Sequence, residues 1–453
     1  MYARLMTDME DYQSRGINPK RVEDWENSRR SPCTKDCWEA WDFDATLDDG
    51  AVLSLRVATK DGASIHSAKD TPVIRLSLVR GDGTLVQASR SFAAADCTWD
   101  EQELDIHCDD CELSGTLRGI HLVANALEVQ GVSAPAQAEE AEAESTRSAE
   151  TAESEETAKA ATKSAESAEA EETAETAKAV AESTTISLNL DFTALTRPVR
   201  PATGILDMGH DGKRMLGWVC PMPLARVEGT VVIGDETHAI AGTARHSHAW
   251  GTVTPSRAIN DWLVVSQDFG ERMVMLLDAT SSSRSGFIRF PMIFVMNKRG
   301  NLLYSNTLDS ACTIETDDWY DDPETGTAFP FAVAYSFDTP DGVSLRYELR
   351  GEGSLSAPEV HPCGSGAWGL TKFSCTDARF RAAGTLSITS PDASGVASET
   401  QGAGDDDDSY DGADLHLRTA MWTGETCFAC GLVGKTFNVE HSPQITTEYV
   451  FEN

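Results

Sequence analysis

Ile186-Ser187-Leu188-Asn189-Leu190-Asp191-Phe192 alternates apolar and polar side chains without a break. Successive side chains of a strand point to opposite faces, so this stretch puts four apolar groups on one side and three polar ones on the other. That is the pattern of a sheet with one wet face. The same period recurs in Leu53, Leu55 and Val57, and in Ile74, Leu76 and Leu78. Phe287 to Met296 is nearly continuous in apolar residues and reads as a strand buried on both faces. Turn chemistry separates such runs: Asp48-Asp49-Gly50, Gly81-Asp82-Gly83, His210-Asp211-Gly212, Gly234-Asp235, Arg299-Gly300 and Pro340-Asp341-Gly342. The predicted fold is all-β, and antiparallel strands in this number hide their edges by closing into barrels or stacking as sandwiches.

Just before Ile186 the pattern stops. From about Ser133 to Thr184 the composition collapses to Ala, Glu, Ser, Thr and Lys, with 14 Glu against four basic residues between Gln137 and Glu182. With no aromatic residue and almost no large aliphatic one, the tract cannot bury enough surface to offset its ordering entropy, so disorder or transient helix is expected. Strand-like sequence flanks it at Ile120 to Val129 and at Ile186 to Phe192. It therefore reads as an insertion within a hairpin whose two strands still pair, which loop entropy tolerates. A second acidic stretch, 390–413, carries Asp405 to Asp408 in a Gly/Ser/Ala-rich run without the glycine spacing of a calcium loop, and reads as a solvated surface loop.

The chain has 453 residues, room for two domains of about 200 residues each. Its formal charge of −36 leaves no basic footprint for nucleic acid or an anionic membrane. Residues 1–30 lack an apolar signal-peptide core, and no window approaches the ~18 uninterrupted apolar residues of a membrane span. A soluble, cytoplasmic chain is expected, of oligomeric state the sequence leaves open. Its 11 cysteines are an odd number for a disulfide framework, so reduced thiols are the simpler expectation. Cys108/Cys111 and Cys427/Cys430 have C-x-x-C spacing and Cys33/Cys37 are close, but the pairs lie far apart and buried thiols are expected ahead of a metal. No Gly-rich phosphate loop or dinucleotide fingerprint is present, and no cofactor is expected.

The best candidate for chemistry is Arg245-His246-Ser247-His248-Ala249-Trp250-Gly251. On a strand, His246, His248 and Trp250 share one face while Ser247 and Ala249 point away. One pocket can receive all three rings; alternatively they close a core.

Trp38-Glu39-Ala40-Trp41-Asp42-Phe43-Asp44-Ala45-Thr46-Leu47-Asp48-Asp49-Gly50 resembles the opening E-W-W-Y-F-D-A-x-L-D-D-G signature of the hydroxyneurosporene synthase (carotenoid 1,2-hydratase) and AttH-like family. Arg226-Val227-Glu228-Gly229-Thr230, His248-x-Trp250-Gly251, Asp261-Trp262 and Trp319 to Pro330 follow in the order of that family's motifs, over about residues 38–350. The resemblance implies two lipocalin-like barrels in tandem: an extension over 1–29, a first barrel over 30–255 and a second over 256–453. It also implies cofactor-free hydratase, cyclase or isomerase chemistry by proton transfer on an apolar isoprenoid, polyketide or fatty molecule.

This sequence departs from the family pattern at Ala40 and Asp42, and at Ser247, where an acid usually precedes the histidine. A serine hydroxyl can neither protonate an alkene nor stabilise an imidazolium as a carboxylate does. Asp278 lies near the place of a Tyr-x-Asp pair in hydratase relatives, with Leu276 in the tyrosine's place. The resemblance then implies Asp278 as acid, His248 as base, His246 orienting it, and Trp250 facing a developing cation. Trp41, Trp262 and Trp319 are candidates to contact substrate. The alternative is a lipocalin-like binding protein that kept the barrel and lost the acid. His248 and Trp250 are expected to line a cavity near the junction of the barrels.

Overall fold

The computed structural model describes residues 2–133, 184–209, 212–297, 299–306, 311–338, 342–365, 372–389, 420–434 and 436–437. The acidic tract inside its flanking Ser133 and Thr184, the loop at 390–413, and the turn residues His210-Asp211 and Pro340-Asp341 lie outside them.

The chain is all-β and forms two antiparallel sheets, each wound around its own apolar core. In chain order the first sheet is built from β1 (Arg4–Leu5), β2 (Trp38–Leu47), β3 (Val52–Ala58), β4 (Val73–Val79), β5 (Leu85–Ser91), β6 (Cys97–Trp99) and β7 (Leu104–Cys108). It continues with β8 (Cys111–Gly115), β9 (Gly119–Ser133), β10 (Thr185–Ala194), β11 (Ile205–Asp207), β12 (Met215–Ile233) and β13 (Glu236–Gly251). The ladder runs β2-β3-β4-β5-β9-β10-β12-β13 and returns from β13 to β2, closing an eight-stranded barrel. Closure removes the free edges that alternating strands would otherwise expose. Ile186, Leu188, Leu190 and Phe192 face its interior, as their period requires. The strands either side of the acidic tract do pair, with Ile186 opposite Leu127 and Phe192 opposite Ile120.

The second sheet holds β14 (Ile259–Asp268), β15 (Arg272–Ser281), β16 (Arg289–Asn297), β17 (Leu302–Ser305), β18 (Ala311–Asp321) and β19 (Ala328–Asp338). β20 (Ser344–Ser354), β21 (Glu359–Ser365), β22 (Lys372–Thr389) and β23 (Ala420–Leu432) complete it. Its order is β17-β16-β15-β14-β23-β22-β20-β19-β18. Tyr304 of β17 meets Phe337 of β19, ring centroids 6.5 Å apart, so the two ends of the sheet curl round one core. β16 is covered on both faces: Ile293 and Val295 belong to this core, whereas Phe290, Met292, Phe294 and Met296 pack against the first barrel.

The N-terminal extension is part of the body of the protein. β1 pairs with β11, and a 3-10 helix at Asp24–Asn27 with the chain to Ser31 lies over one end of the first barrel. The expectation of reduced thiols throughout is corrected at one place: Cys97 and Cys108 are disulfide-bonded, because β6 and β7 set them directly opposite. Cys427 and Cys430, three apart on one strand, face opposite sides of β23. No helix among the described residues is long and apolar enough to cross a membrane.

Candidate functional site

In the first barrel the alternation of β13 brings His246, His248 and Trp250 to the interior face. The register sets His246 opposite Phe43 and His248 opposite Trp41. Each imidazole stacks on its partner, His246 on Phe43 at 4.2 Å and His248 on Trp41 at 4.7 Å between centroids. Trp41 stacks in turn on Trp99 at 5.6 Å, and Trp250 tilts against His248 at 5.0 Å.

A residue not singled out from the sequence completes this cluster. Glu39 is two residues from Trp41 and so shares its face; Glu39 Oε1 is 2.7 Å from His248 Nε2, and both side chains are fully buried. Ser247 points the other way, opposite Asp42. The carboxylate beside His248 therefore comes from the neighbouring strand, and the signal for it was a charged residue at a core-facing position of the Trp38–Leu47 pattern. Glu39 also accepts the backbone N–H of Arg30 at 2.6 Å and of Ser31 at 2.8 Å.

The extension occupies the remaining polar positions. His248 Nδ1 is 3.1 Å from Glu26 O, and Trp41 donates its indole N–H to Asn27 O. His246 Nδ1 lies 3.0 Å from Asp42 O and Nε2 lies 3.1 Å from Asn27 Oδ1, while Asn27 Nδ2 is buried without a partner. Turning the Asn27 amide over lets Nδ2 donate to Nε2 and leaves Nδ1–H to donate to Asp42 O. Burial pushes His246 down to about 3, against the pull of the Asp42 carbonyl, so this imidazole is neutral. Both histidines are enclosed, and Trp250 is half-buried against Met6, Ile17 and Ile205. The place where the sequence suggests a cavity is filled by stacked rings and the extension. A void of about 10 Å³ in this barrel is lined elsewhere, by Val57, Ile74, Cys108, Cys111 and their neighbours.

Asp278 belongs to the second barrel. It follows Val274 and Leu276 on the interior face of β15 and is 3% exposed. Its Oδ2 accepts the Tyr335 hydroxyl at 2.8 Å and Arg289 Nη2 at 2.5 Å; Arg289 Nε lies 2.9 Å from Oδ2 and 3.1 Å from Oδ1. Burial and then the Asp278 charge hold the Tyr335 phenol well above its usual range. Burial alone lowers Arg289, but the charges of Asp278, Tyr335 and Asp261 and the hydrogen bond to Asp278 together outweigh it and raise this guanidinium. Close by, Asp261 accepts Thr280 Oγ1 at 3.1 Å and the Asn260 amide at 2.6 Å.

Thr280 and Arg289 lie at the end of the barrel that carries the β15–β16 connection, and the β18–β19 connection is at the same end. There Trp319 faces Phe437 at 6.2 Å, Phe329 faces Phe437 at 5.8 Å, and Tyr320 packs on Phe331 and Phe380. Trp319 is half-buried. Trp319 thus lies at the end toward which Asp278 sits on β15, while Tyr335, the partner of Asp278, is three residues from the opposite end of β19. Trp262 is on the outer face of β14, in the contact between barrels, and Trp41 is inside the first barrel. The seven candidates therefore divide between two barrels and their interface.

No protein-family model and no curated protein matches the sequence. Among solved structures, a candidate AttH protein from Nitrosomonas europaea is similar with a TM-score of 0.50 at 10% identity, over 91% of this chain and 97% of that one. CghA, in a structure with Sch210972, gives 0.45 at 11% identity over 89% of each chain. Kievitone hydratase from Nectria haematococca gives 0.43 at 10% identity, over 92% of this chain and 97% of that one. The first of these places the chain in the tandem lipocalin-like fold, the architecture implied by the sequence motifs.

Proposed function

We propose that the chain takes an apolar isoprenoid, polyketide or fatty molecule at the aromatic end of its second barrel and moves a proton on it without a redox cofactor. The observation that carries this reading is the Asp278–Tyr335–Arg289 cluster, a polar group set into the largely apolar interior of the second barrel. Apolar pockets with a few convergent polar groups are where small molecules are held and oriented.

The cluster alters the role of Asp278. Its carboxylate is the group assigned to take a proton, from water adding to a polarised double bond or from an acidified C–H, with Arg289 and the Tyr335 hydroxyl orienting it. Tyr335, whose raised pKa keeps its proton, steadies the carboxylate and can shuttle that proton. General base catalysis of this kind contributes about 10² to 10⁴ in rate. His248, paired with Glu39 behind the extension, then holds the first barrel together.

The test is to purify the protein from a producing cell, identify the apolar molecule that accompanies it by mass spectrometry, and assay its turnover. Asp278→Asn is expected to lower turnover by about 10²-fold or more, and Tyr335→Phe by less. Unchanged turnover in Asp278→Asn overturns the reading. A second reading, a binding protein without turnover, is favoured by Ser247 and by the internal pairing of both histidines; wild-type protein returning the molecule unchanged would establish it.

A further inference from the structure

The β6–β7–β8 meander carries three cysteines on one face. Its ladder sets Cys97 opposite Cys108 and Cys108 opposite Cys111, and all three side chains are buried in the first core. Cys97 and Cys108 are joined. Cys111 stands beside the same Cys108 across the two-residue Asp109-Asp110 turn. Hairpin-closing pairs of this kind have Cα atoms about 5.5 Å apart, inside the disulfide range. Cys108 and Cys111 both border the void of about 10 Å³.

We propose that Cys108 exchanges disulfide partners between Cys97 and Cys111. The Cys111 thiol gives its proton to solvent, and the thiolate attacks Cys108 Sγ. The Cys97–Cys108 bond breaks as the Cys108–Cys111 bond forms, and Cys97 leaves as a thiolate that is then protonated. One disulfide and one thiol are present before and after, so no oxidant or reductant is consumed.

The surroundings of Cys111 set the rate. The Asn125 N–H donates to its Sγ at 3.2 Å and Arg90 Nη1 lies 3.8 Å away, both favouring the thiolate, while Asp109 and Asp110 oppose it. Burial outweighs these and pushes the thiol up, so exchange accelerates as pH rises. The exchange is also placed to be felt elsewhere. β6 has three residues and pairs only with β7 among the described strands. Trp99, two residues from Cys97, begins the stack through Trp41 to His248. Releasing Cys97 loosens the edge that presents this ring.

Full-length protein purified without reductant would be held at pH 7 or pH 9, quenched with N-ethylmaleimide in acidic denaturant, and digested unreduced for mass spectrometry. The expected result is the Cys97–Cys108 link with label on Cys111, together with a Cys108–Cys111 link with label on Cys97 that grows at least several-fold from pH 7 to pH 9. Label on Cys111 alone at both pH values, or on all three cysteines, overturns the proposal. Cys111→Ser is expected to abolish the Cys97 label, and its persistence there also overturns it. The wild-type label map decides the question by itself if that variant does not fold.

Discussion

His246 shows how little freedom a polar ring keeps inside a barrel. It is stacked on Phe43, bonded through both nitrogens, and pushed by burial to about 3. The unfolded chain protonates this residue near pH 6.5, whereas the folded chain resists protonation until about 3. Its contribution to stability is therefore complete above pH 6.5 and is lost as pH falls toward 3, at about 1.4 kcal/mol per pH unit. Urea unfolding at pH 7, 6 and 5 should show wild type losing stability more steeply than His246→Gln by about that slope. Equal slopes would mean that the ring is not held neutral. Glu39 teaches the complementary lesson, because its side chain supplies the carboxylate that residue 247 lacks. Sequence order places 247 next to 248, but cross-strand neighbours decide contacts in a sheet.

At the scale of elements, the strands were legible because alternation reports directly which face is wet. Ile186 to Phe192 lies inside the first barrel, and the continuous run at 287–296 became β16, covered on both faces. The N-terminal extension was not legible as a plug. Its residues lack periodicity, and besides the Asn27 side chain it acts through backbone groups, such as Glu26 O and, just beyond it, the N–H of Arg30 and Ser31, that no side-chain pattern records. The β9–β10 hairpin carries a prediction. The β9–β10 ladder continues to Thr185 opposite Glu128, and β10 is held on its other side by β12. Replacing residues 134–183 with a flexible Gly/Asn linker of about six residues, long enough to return from Ser133 to Thr184, should therefore leave the barrel intact. Each halving of a connection lowers its closure cost by about 0.6 kcal/mol, so the deletion variant should melt at or a few degrees above wild type. A variant that melts well below wild type, or does not fold, would show that the tract contributes to the barrel.

For the molecule as a whole, the question is whether two barrels behave as two units. The sequence located Asp278 but neither of its partners, since Arg289 is on the next strand and Tyr335 reaches it across the barrel interior, 57 residues away. Contacts across a barrel, like contacts between barrels, leave no local periodicity to read. The proposed division near residue 255 falls between β13 and β14, where sheet membership changes. Across that division Met273, Met275, Phe290, Met292 and Phe294 share one apolar cluster with Met208, Leu216 and Cys220 of the first sheet. Arg379 reaches from β22 to Asp44, and Glu359 accepts Ser77 and Gln87. Half-buried Asp44, which desolvation alone would raise, is held at about 2 by Arg245 and Arg379. An interface this apolar couples the two cores, because opening it exposes methionine and phenylalanine faces to water. Wild type should therefore unfold in one calorimetric transition whose calorimetric and van't Hoff enthalpies agree. Met292→Lys puts an unpaired charge on the outward face of β16, away from both barrel interiors, at a cost of several kcal/mol to docking. Two resolved transitions are expected in that variant; two transitions already in wild type would mean that the barrels fold independently and that the shared cluster adds little.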